Sequence, residues 1–466
     1  MISIDVLPDD VLLVIFYFCV DEASDIAHSK ESVEGWQPLV HVCRRWRTVV
    51  FGSPRHLNLR LGCNPRTPAR DLLDIWPALP ILIWGRNNYP TESVDNITAL
   101  LERSDRVCQI NLEGVTSSHL EVISAAMQVP FPAMTVLQLH SDDETVPVLP
   151  DSFLGGSAPH LRSFALQGIP FPGLPKLLLS ATNLAYLCLF EIPHSGYFPP
   201  EAMVTALSTL TGLQLLFLRF QSSLSRPDRP SRRPPPSTRS VLPVLTHFFF
   251  SGVPEYLDDI VAGMDTPRLD HLSISLFNQI EFDTPQFVQF ISRTPTFGAF
   301  KGARLFFKND HARVELFSQT PVSGGLHLDI LCRDVGWQMS SLGQVFTSCL
   351  PPLSTLEDLY IVDSQDSHLH RPDNIENTLW LELLRPFASV MNLYLSRKVA
   401  RCIVPALQEL VGARTMEVLP NLQNIFLEHQ PWQWAVQEGI GKFAAMRQVA
   451  GHPIAIADSR WANPWP

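Results

Sequence analysis

Cysteine pairs are missing from this chain. Its eight cysteines, at positions 19, 43, 63, 108, 188, 332, 349 and 402, form no Cys-x-x-Cys motif and no tight cluster. That removes the usual zinc signatures and the disulfide frameworks of small secreted domains. Most of the eight sit among apolar residues and read as small buried hydrophobes. Long apolar runs are missing too. The best, residues 11–20, is too short to span a bilayer and follows acids rather than lysines. With no signal-peptide pattern, the thiols are expected to stay reduced and the sequon Asn96-Ile97-Thr98 to stay unmodified. The chain is expected to be soluble, in the cytoplasm, the nucleus or both, with no membrane partner. Positive charge is in deficit. A formal net charge of −11 argues against general nucleic-acid binding, which needs a basic surface.

Catalytic signatures are also lacking. The sequence contains no G-x-S-x-G, no G-x-x-x-x-G-K-[ST], no H-E-x-x-H and no calcium loop. Gly155-Gly156 and Gly324-Gly325 read as turns. The nearest approach to a metal constellation is Asp363, Asp366, His368, His370 and Asp373, whose spacing matches no ligand signature and reads as a solvated loop. The expectation is a chain with no cofactor, no metal and no catalytic residue of its own.

What is abundant is proline and a short repeat. Forty prolines in 466 residues exceed the average of about 5% and suit many short elements separated by stiff turns. The pattern apolar-x-x-apolar-x-apolar recurs at 107–112, 134–139, 161–166, 184–189, 213–218, 245–250 and 269–274, then at 356–361, 390–395 and 422–427. Poorer copies stand at 300–305 and 326–330. The first seven copies start 27, 27, 23, 29, 32 and 24 residues apart, a period that points to stacked units. Several carry a second mark: Leu112-Glu113-Gly114-Val115, Leu166-Gln167-Gly168-Ile169-Pro170, Leu189-Phe190-Glu191-Ile192-Pro193 and Phe250-Ser251-Gly252-Val253-Pro254. There the chain leaves a strand, turns and buries one more apolar residue. Helices are predicted at 201–210, 256–264, 285–293, 376–387 and 399–410. This alternation resembles a leucine-rich repeat, which implies strands lining the inside of an arc and helices the outside. Val or Ile stands where that family often stacks Asn or Cys, so the predicted arc is irregular.

The N-terminus is different. Leu7-Pro8-Asp9-Asp10 opens a helix in which Val11, Leu12, Ile15, Phe16 and Cys19 follow helical spacing. A helix this apolar must be buried in its own domain or against a partner. A second piece, Val42-Cys43-Arg44-Arg45-Trp46-Arg47-Thr48-Val49, presents apolar residues on one face and arginines on the other. Leu7, Pro8, Asp10, Leu12, Ile15, Val42, Cys43 and Trp46 together resemble the F-box, the adaptor-binding module of cullin-type ubiquitin ligases. The polar connection over residues 21–35 is longer than that family usually has. The resemblance covers residues 4–52. It implies contact with a Skp-family adaptor, and through it a cullin, by Leu7, Pro8, Val11, Leu12, Ile15, Val42, Cys43 and Trp46.

The predicted organisation is an α/β chain. An F-box-like helical module occupies residues 1–52, connecting segment and first repeat units 53–105, irregular repeats 106–428 and a C-terminal cap 429–466. Residues 56–61 and 81–84 read as strands, and 65–71 as a turn into a short helix. The insertion 225–240, with five arginines, five prolines and no large apolar residue, reads as disordered. In the cap, Val436, Ile440, Phe443 and Ala444 share a helical face, and Trp432, Trp434, Trp461 and Trp465 stand out. Third and fifth positions of each repeat pattern should point away from the core, because side chains alternate along a strand. From 184 to 274 these are Tyr186 and Cys188, Leu215 and Phe217, His247 and Phe249, His271 and Ser273. Tyr186, Phe217, His247, Phe249 and His271 then form either a target-binding patch or a surface covered by a neighbouring loop or the C-terminal tail. The function implied is substrate recognition in a ubiquitin ligase of the SCF type. The rival is a repeat-based interaction scaffold with no ubiquitin role.

Overall fold

The computed structural model describes residues 7–21, 35–86, 91–226, 239–277, 284–308, 311–318, 325–332, 334–350, 353–363, 376–410, 412–428 and 434–459. Most of the polar connection 21–35 and of the insertion 225–240 therefore lies outside the described residues, as do Gly324, Asp366, His368, His370, Asp373, Trp432, Trp461 and Trp465. The chain forms two compact units, Met1–Phe198 and Pro199–Pro466. Each is built from strands and helices in alternation.

The first unit opens with three helices, α1 (Asp9–Asp21), α2 (Gln37–Val42) and α3 (Arg44–Gly52). Pro8 lacks only an N–H that a helix start leaves unpaired, and its carbonyl accepts the first α1 bond, from Leu12 N at 3.0 Å. Cys43 is extended between α2 and α3, and its Sγ accepts from Trp46 N at 3.4 Å, capping α3. Among the described side chains of α1 only Leu12 and Phe16 are buried. Phe16 packs on Trp46 with ring centroids 4.7 Å apart. Trp36 ties the helices to the start of the repeats. It is buried against Phe51 and Trp76, with centroids at 5.8 and 5.0 Å, and its Nε1 donates to Arg60 O at 2.9 Å. Burying so large a ring contributes roughly 2–3 kcal/mol, which fixes the module on the repeats.

The repeats begin with β1 (Leu61–Cys63), α4 (Ala69–Ile75), β2 (Ile81–Arg86), α5 (Thr91–Leu101), β3 (Val107–Glu113), α6 (Ser117–Ala126), β4 (Val136–His140), β5 (Ser163–Gln167), α7 (Leu174–Leu178) and β6 (Tyr186–Ile192). The six strands pair in chain order, all parallel. Corresponding leucine-type positions fall in register: Ile110, Leu137, Phe164 and Leu187 in one buried row, Leu112, Leu139, Leu166 and Leu189 in the next. The turn marks behave as predicted, with Val115, Ile169 and Ile192 buried. Gly168 is required. Its φ is 69°, and a Cβ there would lie 2.4 Å from Ser141 O. The alternation at 56–61 misleads. Pro54 and Asn58 (φ 48°) turn the chain, so Leu57 and Leu59 are buried from a turn and pairing starts at Leu61.

The second unit contains α8 (Pro200–Leu207), β7 (Leu215–Phe220), β8 (Ser240–Val241), β9 (His247–Gly252), α9 (Pro254–Ala262), β10 (Met264–Asp265), β11 (His271–Phe277), α10 (Pro285–Arg293), β12 (Gly302–Phe307), β13 (His311–Phe317), β14 (Gly325–Leu331), α11 (Val335–Gln344), β15 (Asp358–Asp363), α12 (Asn377–Leu384), β16 (Asn392–Leu395), α13 (Arg397–Gln408), β17 (Asn424–Glu428), α14 (Trp434–Val449) and β18 (Ala455–Ser459). Short β8 and β10 pair only with each other. The main sheet of this unit runs β7-β9-β11-β14-β13-β12-β15-β16-β17-β18. It is parallel except at β13, which is antiparallel to β12 and β14. The two poorer repeat copies are the flanks of this meander. Three residues separate Phe307 from His311, too few for the crossover that parallel pairing needs, so the chain must double back. The C-terminal segment buries Val436, Ile440 and Phe443 of α14 and adds β18 beside β17. Buried Arg447 donates from its guanidinium to the carbonyls of Thr415, Leu419, Pro420 and Leu422, holding the preceding loop.

Candidate functional site

Two surfaces carry unusual side chains. The first is α1. Val11, Val14, Ile15 and Phe18 recur at helical spacing on the side away from Leu12 and Phe16. Val14 is 53% exposed and Phe18 62%, with Tyr17 and, on α2, Val42 (58%) also open. Of the eight sequence-predicted adaptor contacts, Pro8, Val11, Ile15 and Val42 are exposed and Leu7, Cys43 and Trp46 half-buried; Leu12 is fully buried. Leu12 therefore holds the module together, Cys43 caps α3 and Trp46 packs on Phe16. Val14, Tyr17 and Phe18 were not singled out from sequence, although Val14 and Phe18 complete an i, i+3, i+4, i+7 stripe with Val11 and Ile15. Arg45 bridges the helices, donating to Asp9 Oδ1 from Nε at 2.9 Å and Nη2 at 2.7 Å and also to Leu7 O.

The second surface is the side of the second unit's sheet that faces away from the leucine-type rows. Phe217, Phe249, His247 and His271 meet there. The Phe217 and Phe249 rings stack 5.3 Å apart, and His271 lies 5.1 Å from Phe249 and 5.8 Å from His247. His327, one strand further, meets His271 edge-on at 4.7 Å. Burial, with His271 and Arg313 nearby, lowers the His327 imidazole to about 4. His271 is lowered too, by burial and His247. Tyr186 belongs to the first unit, where it is 45% exposed on β6.

This row runs on across the sheet. Ser273, His327, Glu315, Arg304, Tyr360, Tyr394 and Phe426 are successive cross-strand partners. Tyr360, Tyr394 and Phe426 stack at 4.1 and 4.6 Å. Beside them Asn392 Nδ2 donates to Asp358 Oδ1, and Asn424 Nδ2 to Asn392 Oδ1, both at 2.8 Å. The rule that picked out Phe217 and Phe249 names all six when applied to 356–361, 390–395 and 422–427. At the meander the row is charged. Arg313 holds Asp329 through two bonds of 2.6 and 3.1 Å, and Arg304 lies 3.6 Å from Glu315. Arg304 and Glu315 are only 4% and 5% exposed, and burial raises the Glu315 carboxyl. Two arginines against two carboxylates leave this stretch with no net charge.

Among the described residues no group of three or more His, Cys, Asp or Glu is placed to hold a metal ion. No helix among them is long and apolar enough to cross a membrane. No family model matches the chain, and a search of curated proteins matches none. Among solved structures, the leucine-rich repeat-containing protein LegL7 from Legionella pneumophila is similar at 14% identity, with 83% of this chain and 98% of that chain covered and a TM-score of 0.28. At that score the likeness carries no argument. The repeats are defined by this chain's own strand–helix order and register.

Proposed function

We propose that this chain is the substrate-recognition subunit of an SCF-type cullin–RING ubiquitin ligase. The carrying observation is the apolar stripe of α1, open where a self-contained helical hairpin would bury it. A Skp-family adaptor seats on Val11, Val14, Ile15, Phe18 and Val42 and links the chain to a cullin. A protein target is held by the outward face of the second unit around Phe217, His247, Phe249 and His271. Catalysis is then proximity: a separately bound conjugating enzyme meets a target lysine at high effective concentration, and no residue of this chain does chemistry. The composition fits that task. Only six of the 35 basic residues are lysines (30, 176, 301, 308, 398 and 442), so the chain offers few ubiquitin acceptors of its own.

The test is co-purification of the full chain with a Skp-family adaptor and cullin. An Ile15→Asp, Phe18→Asp variant changes exposed residues only and should fold normally. It should lose adaptor binding by a hundredfold or more, since truncating an interface anchor costs roughly 2 kcal/mol or more and a buried charge adds to that. Wild-type recovery of adaptor by that variant would remove the ligase reading and leave a repeat-based scaffold.

A further inference from the structure

From Gly35 to Arg70 the sequence has no Asp or Glu, yet it has seven arginines (44, 45, 47, 55, 60, 66 and 70). This is the reverse of a chain whose net charge is −11. Arg45 is committed to Asp9. Arg44, Arg47 and Arg55 are exposed, and none of them forms an ion pair among the described residues. Arg47 makes a hydrogen bond from Nε to the neutral Val40 O at 3.0 Å.

Their position works against the module's own stability. Arg44, Arg45 and Arg47 fill the first turn of α3, which has no acidic residue. Helix N-termini favour carboxylates and disfavour cations. Arg44 breaks this local rule and gains no ion pair among the described residues, which points to a demand from outside the chain.

Two of these cations stand beside exposed residues of the module: Arg44 follows the open, apolar Val42 by two positions, and Arg55 adjoins His56. α3 packs on α1 through Trp46 and Phe16, and His56, the neighbour of Arg55, lies 5.9 Å from the exposed Tyr17 ring of α1. An apolar centre with a charged rim is the anatomy of a protein-binding surface.

We infer that the partner seated on α1 is a protein with an acidic margin, whose carboxylates face Arg44, Arg47 and Arg55 around an apolar contact. This rests on the adaptor reading for the partner's identity, not for its chemistry. Rim charges of this kind chiefly set the association rate and its salt dependence.

The experiment uses the full chain and an Arg44→Glu, Arg47→Glu, Arg55→Glu variant. Carboxylates suit the start of α3, so the variant should melt no lower than wild type. Association with the Skp-family adaptor, followed from low to moderate salt, should slow about tenfold or more at low salt and lose most of its salt dependence, with dissociation little changed. Equal rates and an equal salt slope would overturn the inference. A fluorescent polyglutamate peptide supplies a second readout. It should bind wild type and not the variant. Polyglutamate binding without adaptor binding keeps the acidic-partner inference and removes the adaptor reading. Polyglutamate bound equally, or not at all, by both chains overturns the inference. So does a short DNA duplex that outcompetes polyglutamate at the same residues, which would assign the rim to nucleic acid.

Discussion

His327 shows how a single residue takes its chemistry from its place in the sheet. Its imidazole is flanked by His271, Arg313 and Arg304, with Asp329 as the opposing charge, and burial holds it near 4. An unfolded histidine titrates near 6.5. Between those values the unfolded chain binds a proton that the folded chain refuses, so folding loses stability as pH falls from 6.5 toward 4. The contribution is at most about 3 kcal/mol. Glu315, whose carboxyl is raised by burial, acts in the opposite sense above the ordinary carboxylate range, which makes a difference measurement necessary. A His327→Gln variant should show a shallower fall in denaturant-derived stability from pH 6.5 to pH 4 than wild type. Parallel curves would mean that His327 is protonated in the folded chain.

At the scale of elements, the helices are started from across repeat boundaries. Thr284 provides no side-chain cap for α10. Instead the buried Asp258 of α9 accepts from Gln286 N at 2.9 Å and Phe287 N at 3.0 Å. Asp143 does the same for α6 through Ser117 N, and Glu428 accepts from Arg397 N at the start of α13. Proline-opened α10 has no cap of its own and relies on the carboxylate of the preceding repeat, whereas α6 is also capped by Thr116, whose Oγ1 accepts from His119 N at 3.4 Å. Asp258→Ala should destabilise the chain by roughly 2 kcal/mol, because two donors lose their partner in a buried setting. Asp258→Asn should recover much of that loss. Thermal melts of the pair decide the point, and an Ala variant that melts with wild type would show the cap to be dispensable.

At the scale of the molecule, each unit separates the surfaces that hold it together from those that face outward. Leucine-type positions fill the core, and in the second unit the intervening positions carry stacked rings, histidines, amides and a buried, self-neutralised charge cluster. Phe217 and Phe249 are half-exposed and stack on each other on the face opposite the leucine-type rows. Phe217→Ser with Phe249→Ser should therefore lower stability by no more than about 1–2 kcal/mol, the worth of one ring pair and its partial burial, while abolishing capture of the proposed protein target. Adaptor association should be unchanged. If the double variant unfolds, the rings are core and the outward face is not the target site.

The repeats were legible because buried leucine-type residues recur with the strand period and the turns carry their own glycine and proline marks. Leu187, Leu216, Phe248 and Leu272 could be assigned to the core from spacing alone, and Phe217, Phe249 and His271 to the opposite face. The apolar excess of α1 was equally plain, because Leu12 and Phe16 already supply the inward side of the helix and leave the rest unused. Other features depended on contacts distant in sequence. Nothing local reports that Arg304 and Glu315 are buried side by side, or that Asp258 caps a helix 28 residues later. Periodicity records which side of a strand faces the core. Which strand lies beside it, and so which charges and rings meet across the sheet, is set by how the chain folds back on itself.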